Sequence, residues 1–233
     1  MSAFQARAVL VIPALDEQDS LPSTLDRVPR GMYRSVIVAD NGSRDRTAQV
    51  AREHGATVVW EPERGYGAAC LRAIDALPDG IEAVVFMQAD GSEEPEEAGS
   101  LLSPIYEGRA ELVIGSRALG RPDRGALPSH QALGNRLAVA LIRTLYGHRY
   151  TDLGPYRAIR VDSLRRLEMQ DRSYGWTAEM QIKALKCGLR VLEDPVSYQN
   201  RTAGAGKVSG SLKGSLAAGA KIIWTVARLA AAR

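Results

Sequence analysis

Short unbroken apolar runs alternate along the chain with longer segments of helical spacing. The runs 8–13 (AVLVIP), 35–39 (SVIVA), 57–60 (TVVW), 83–87 (AVVFM) and 111–116 (ELVIGS) predict five buried strands. The segments between them, 21–28, 45–55, 65–77 and 95–107, predict helices. Ser43 reads as the N-cap of the second helix, and the acidic residues at 93–97 suit the positive end of the fourth. Strands that are apolar throughout, rather than at every other position, are covered on both faces. The pattern therefore predicts an α/β domain with a mainly parallel, Rossmann-like sheet flanked by helices.

The pattern loosens after Gly115. Residues 121–129 hold Pro122, Gly125 and Pro128 and predict a loop. Residues 131–146 predict an amphipathic helix on Leu133, Leu137, Ala140, Leu141 and Leu145. Residues 151–157 read as irregular, and 177–187 as a helix closed by Gly188. Residues 190–198 predict a strand with Pro195 at an edge or bulge, and 200–210 a flexible stretch. The division expected is one domain over 1–211, split at 117 into two halves, followed by an amphipathic helix over 212–233.

Composition narrows the function classes. With 233 residues, 45% hydrophobic and 24% charged, the chain suits a single folded domain with a small appendage. A net charge of +3 is too mild for a nucleic-acid binder, and none is expected. The excess is uneven: Lys207, Lys213, Lys221, Arg228 and Arg233 lie in a tail with no acidic residue. Such a tail suits an anionic membrane surface or a helix docked on its own domain. Cys70 and Cys187 form no CxxC pair, and His54, His130 and His148 share no ligand spacing. The N-terminus lacks the features of a signal peptide, and no apolar run reaches 18 residues. A reducing, cytoplasmic setting is expected, with the tail as a peripheral membrane contact.

Polar residues cluster where the strands end, which is where open parallel sheets bind ligands. The first strand runs into Asp16 and Glu17, and the second into Asp40, Asn41, Gly42 and Ser43. Carboxylates there suit a base N–H or ribose hydroxyls; capping and turn roles are the alternatives for Ser43, Asp45 and Asp40. After the third strand, Gly65 and Gly67 open a helix, where backbone N–H groups can approach phosphate. The fourth strand ends in Gln88-Ala89-Asp90, and Asp90 suits Mg²⁺ or Mn²⁺ bridging a diphosphate. Arg117, after the fifth strand, suits phosphate oxygens.

These segments, in this order, resemble the family-2 glycosyltransferases of GT-A (nucleotide-diphospho-sugar transferase) fold, in particular the dolichyl-phosphate mannosyltransferase-like and polyprenyl-phosphate glycosyltransferase-like group. VIPALDE (Pro13, Ala14, Leu15, Glu17) is similar to that family's first nucleotide-binding strand, with Asp16 where asparagine is usual. VADNGSRDRT, ERGYGAA and VIGSR resemble its base-binding, glycine-loop and post-metal segments, and GNRLAVALI and TDLGPYRAI its acceptor side. The family's metal motif is Asp-x-Asp; here Gln88 replaces the first carboxylate, while Asp90 matches the second.

The resemblance implies an inverting transfer of a hexose from a UDP- or GDP-sugar to a polyprenyl phosphate. Mg²⁺ or Mn²⁺ would be held by Asp90 and, weakly, Gln88. Arg117, Arg136, Arg201 and Lys207 would bind the acceptor phosphate, Lys207 on a loop at 204–210 closing over the site. A hydroxyl acceptor would need a general base, for which Asp152 and Glu179 are the candidates; a turn role for Asp152 and an i,i+4 pair of Glu179 with Lys183 are the alternatives. Rival readings are a transferase with a soluble acceptor, a catalytically weak nucleotide-sugar-binding module and, with least support, a nucleotidyltransferase.

Overall fold

The computed structural model describes residues 7–29, 31–120, 122–201 and 212–231, the side chains of 212–216 excepted. Seven strands form one sheet: β1 (Ala8–Ala14), β2 (Ser35–Asp40), β3 (Thr57–Trp60), β4 (Ala83–Phe86), β5 (Leu112–Ser116), β6 (Arg157–Arg160) and β7 (Val191–Pro195). Their order is β3-β2-β1-β4-β6-β5-β7. Every pairing is parallel except those of β6, which runs antiparallel between β4 and β5. The five strands expected from the apolar runs are all present.

The pattern predicts neither β6 nor the short helix Val161–Leu167, and for β6 Arg157 is the reason. RAIR holds two apolar residues between arginines, yet the strand is central and Arg157 is fully buried. Its guanidinium is caged by carbonyls, donating to Gly154 and to the oxygen of Thr177 at 3.1 Å. Hydrogen bonds to carbonyl oxygens make a buried cation tolerable, and hydropathy carries no trace of them. The strand proposed over 190–198 ends at Pro195, and Tyr198 then makes a single bridge to Pro122.

Helices cover both faces. α1 (Leu21–Asp26), α2 (Thr47–Glu53) and α4 (Ala98–Tyr106) flank one apolar layer; α3 (Tyr66–Asp75), α5 (Ser129–Tyr146), α6 (Val161–Leu167), α7 (Trp176–Lys186) and α8 (Leu212–Ala231) flank the other. Trp176 anchors the second layer, edge-on to Phe86 with ring centres 4.7 Å apart. α8 lies along α5 and α7: the Tyr146 hydroxyl donates to the oxygen of Val226, and Lys221 pairs with Asp171 at 3.2 Å.

Several local expectations are corrected. Ser43 does not cap α2; its hydroxyl accepts the N–H of Asp16 and so ties the β1 and β2 loops together. Asp16 itself has φ +50°, a conformation that Asp and Asn tolerate best, and it accepts the N–H of Arg44. The acidic stretch is a solvated helix start only at Glu96. Residues Pro95–Glu97 form a separate 3-10 turn, Glu93 is buried, and Glu94 pairs with Arg27 at 3.0 Å.

Gly65 and Gly67 serve packing. The 171–173 segment crosses the start of α3 so closely that a Cβ on Gly67 would lie 1.9 Å from the oxygen of Asp171. The N–H groups of Gly67 and Ala68 donate to the carbonyls of Ser173 and Arg172. They are therefore not free for phosphate, which corrects the glycine-loop reading. Gly67→Ala should destabilise the protein by about 2 kcal/mol or more through this backbone collision. Urea denaturation measures it, and an unchanged midpoint would contradict the packing role.

Candidate active site

The carboxyl ends of β1, β2, β4 and β5 open into one cavity of about 530 Å³. Pro13, Ala14, Leu15 and Glu17 line it from the β1 loop, Asn41 from β2, Gly65 from the α3 turn, and Gln88, Ala89 and Asp90 from the β4 loop. Arg117 and Tyr198 line the opposite wall, and Arg201 lies against the β1 and β4 loops. The far end is formed by α5 (His130, Gln131, Gly134, Asn135) and α8 (Ala218, Gly219, Ile222, Ile223).

Asp90 stands at the centre. It is nearly buried, and Oδ1 accepts both the N–H and the hydroxyl of Ser92, which fixes the carboxylate on the turn after β4. Oδ2 accepts Arg201 Nη1 at 2.8 Å, and Arg201 Nη2 reaches Glu17 Oε1 at 2.6 Å. Arg201 therefore sits between the β1 and β4 loops rather than on the acceptor side, where it was expected.

Arg117 and Asp152 form a second charged pair. Nε and Nη2 of Arg117 each lie 2.8 Å from an oxygen of Asp152, and the Arg117 N–H adds a third bond. The guanidinium rests over the ring of Tyr198, 5.1 Å from its centre. Glu193 positions this pair from behind by accepting the N–H groups of Thr151 and Asp152. Asp152 is buried with both oxygens engaged, so it is a positioning residue rather than a free base.

The remaining expected residues divide. Glu179 is fully buried, accepts the N–H groups of Gln170 and Asp171, and pairs with Lys183; it lies outside the cavity lining, which corrects its reading as a base. Asp40 is buried and accepts the N–H of Ser43, leaving its neighbour Asn41 to face the cavity. Asn41 also accepts the Gly65 N–H and donates to the oxygen of Glu63, so it clamps two strand ends. Gly67 and the exposed Arg136 do not line the cavity. Asn135, next to Arg136, does: it accepts the N–H of Leu153 and holds the loop that carries Asp152. Lys207 and the 204–210 loop lie outside the described residues.

Among the described residues no group of three His, Cys, Asp or Glu side chains is placed to hold a metal. Among the described residues Asp90 offers one carboxylate oxygen, already facing a cation, beside Gln88. That suits a divalent ion arriving with a diphosphate, since Mg²⁺ commonly takes one or two carboxylates and completes its shell with substrate phosphates and water.

Comparison with known proteins identifies the lineage. Residues 9–168 match the family described as glycosyl transferase family 2. An uncharacterised glycosyltransferase of Mycobacterium tuberculosis is 40% identical over 210 residues, covering 90% of this chain and 93% of the relative.

The chain belongs to glycosyl transferase family 2.

An undecaprenyl-phosphate mannosyltransferase of Micrococcus luteus is a further relative, 30% identical over 220 residues, with 89% of this chain and 90% of that protein covered. Among solved structures, glucosyl-3-phosphoglycerate synthase from M. tuberculosis in complex with Mn²⁺, UDP and phosphoglyceric acid superposes with a TM-score of 0.78 at 22% identity. That superposition covers 97% of this chain and 78% of the synthase, and it establishes the shared GT-A fold.

This glycosyltransferase carries one residue beneath its site that the sequence reading misplaced. Glu93 lies under the 88–92 loop. Its Oε2 accepts the N–H of Gln88 at 2.7 Å, and among the described residues its Oε1 is buried without a partner. Burial pushes its carboxyl up to about 8, against the lowering effect of the Gln88 N–H; Asp90 raises it further, while Arg117 and Arg157 lower it. The folded protein thus holds a proton that the unfolded chain releases above the ordinary glutamate range. The stability this contributes is present at acid pH and lost as pH rises toward 8. Glu93→Gln should therefore gain stability relative to the parent, by on the order of 1–3 kcal/mol more at pH 8 than at pH 5. Thermal denaturation at the two pH values reads this; an equal difference at both would refute the buried, protonated Glu93.

Proposed function

We propose that this glycosyltransferase moves a hexose from a UDP- or GDP-sugar onto a polyprenyl phosphate at an anionic membrane surface. One observation carries the reading: the same cavity that holds Asp90 runs out to α5 and α8, beside exposed apolar side chains on both helices. Leu133, Leu137 and Leu145 form a stripe along α5, and Ile223 and Trp224 stand out on α8. Neither helix contains an acidic residue, while Lys221 and Arg228 flank the Trp224 ring. Apolar side chains ringed by cations match the interface of a negatively charged bilayer. None of the described helices is long and apolar enough to cross a membrane, so the contact proposed is peripheral.

The donor lies over the loops of β1, β2 and β4, with its nucleoside near Ala14, Leu15 and Asn41 and its diphosphate near Asp90. Bound there, Mg²⁺ or Mn²⁺ supplies positive charge to the departing diphosphate. Arg117, fixed by Asp152, faces the acceptor phosphate from the opposite wall. An oxygen of that phosphate attacks the anomeric carbon as the bond to the diphosphate breaks, which inverts the centre and releases the nucleoside diphosphate. A phosphate nucleophile is already anionic and needs no proton removed. This agrees with Asp152 and Glu179 both being engaged elsewhere.

The test is transfer of radiolabelled hexose from UDP- and GDP-sugars, with Mn²⁺, to polyprenyl phosphate in anionic vesicles or to phosphoglycerate in solution. Label should move into the organic phase with one of the donors. Asp90→Ala should lower that rate about a hundredfold or more. Transfer to the soluble acceptor alone would refute the lipid reading, and nucleotide-sugar binding without turnover on either acceptor would leave a binding module.

A further inference from the structure

Arg201 occupies the place where cationic charge is needed most. Its guanidinium spans Glu17 and Asp90, from the loops of two neighbouring strands, at 2.6 and 2.8 Å. In each carboxylate the other oxygen is held by its own loop: Ser20 donates to Glu17 Oε2, and Ser92 to Asp90 Oδ1. The remaining oxygen of each is given to Arg201. Among the described residues its Nε is buried without a partner. A guanidinium fixed for packing alone would have its donors matched; here one is left over beside the cavity.

Charge decides what happens when a donor arrives. Glu17, Asp90 and Arg201 together carry one net negative charge, and Gln88 adds no further one. A divalent cation on Asp90 would meet the guanidinium at a few ångströms, where like charges repel strongly in a partly buried site. A nucleoside diphosphate brings the compensating anions. We propose that Arg201 is an exchangeable counter-ion: it neutralises Asp90 and Glu17 in the donor-free enzyme, competes with the divalent cation for Asp90, and turns onto the donor's diphosphate when the cation takes its place. The protein alone should consequently bind Mn²⁺ weakly, and Mn²⁺ should enter together with nucleotide.

This rests on the nucleotide-sugar reading of the cavity, but its test needs neither acceptor nor turnover. Mn²⁺ binding to the nucleotide-free full-length protein is measured by the loss of the free-ion electron paramagnetic resonance signal. Arg201→Gln should bind Mn²⁺ about tenfold more tightly than the parent, since a charge-assisted contact to Asp90 is removed. Arg201→Lys, which keeps the charge, should lie between them. Adding Asp90→Ala to Arg201→Gln should abolish the gain. In calorimetry with Mn²⁺ present, Arg201→Gln should bind UDP or GDP about tenfold more weakly, because the contact to diphosphate is lost. Unchanged or weaker Mn²⁺ binding by Arg201→Gln would overturn the competition. Survival of the gain in the double variant would overturn its location at Asp90. Undiminished nucleotide binding would overturn the turn onto diphosphate. A failure of Mn²⁺ competition is distinct from a failure of lipid transfer, because no lipid is present.

Discussion

The site depends on the matching of carboxylates to guanidinia in a pocket that is partly shut off from water. The parallel strands end in loops whose backbone groups are tied to one another: Ser43 to Asp16, Asn41 to Gly65, Ser92 to Asp90. These ties turn Glu17 and Asp90 toward the same space, where two nearby negative charges are costly without a cation between them. Arg201 supplies it on the donor side. Arg117, held by Asp152 and stacked on Tyr198, supplies a second cation on the opposite wall. The cavity is therefore lined by cations already in position, as the anionic groups of the proposed donor and acceptor would require.

The supports of this arrangement lie well behind the cavity. Glu193 on β7 holds Thr151 and Asp152, and Asn135 on α5 holds Leu153. Arg157 cages the carbonyls of the same loop from within the sheet. The loop that carries Asp152 is thereby fixed from three directions. The antiparallel strand β6 follows directly from it, which explains why a strand so poor in apolar residues sits at the centre of the sheet.

Much of this was legible in the sequence, for identifiable reasons. The apolar runs of the first five strands are continuous, so burial on both faces could be read from them. The strand-end motifs likewise placed Glu17, Gln88, Asp90 and Arg117 at one cavity. What hydropathy missed depends on contacts between distant segments. Gly67 resembles a phosphate-loop glycine until the 171–173 segment is seen to cross it. Glu93 resembles an exposed helix start until Gln88 is seen to bond it from above. Asn41 and Asn135 give a weaker sequence signal than the charged residues beside them, although an amide that both donates and accepts is better suited to clamping two loops. Nothing local in the sequence ties Arg201 to the donor loops, because its partners lie 184 and 111 positions away.

The central claim is that Asp90 is the metal carboxylate of the donor site and that Arg201 yields it on binding. A crystal structure of the protein with Mn²⁺ and the nucleoside diphosphate it binds tests this most directly. The account predicts Mn²⁺ coordinated by Asp90 and the diphosphate, with the Arg201 guanidinium moved off the carboxylate and onto phosphate oxygens. Mn²⁺ bound away from Asp90, or Arg201 still bridging Glu17 and Asp90 beside a bound diphosphate, would contradict it.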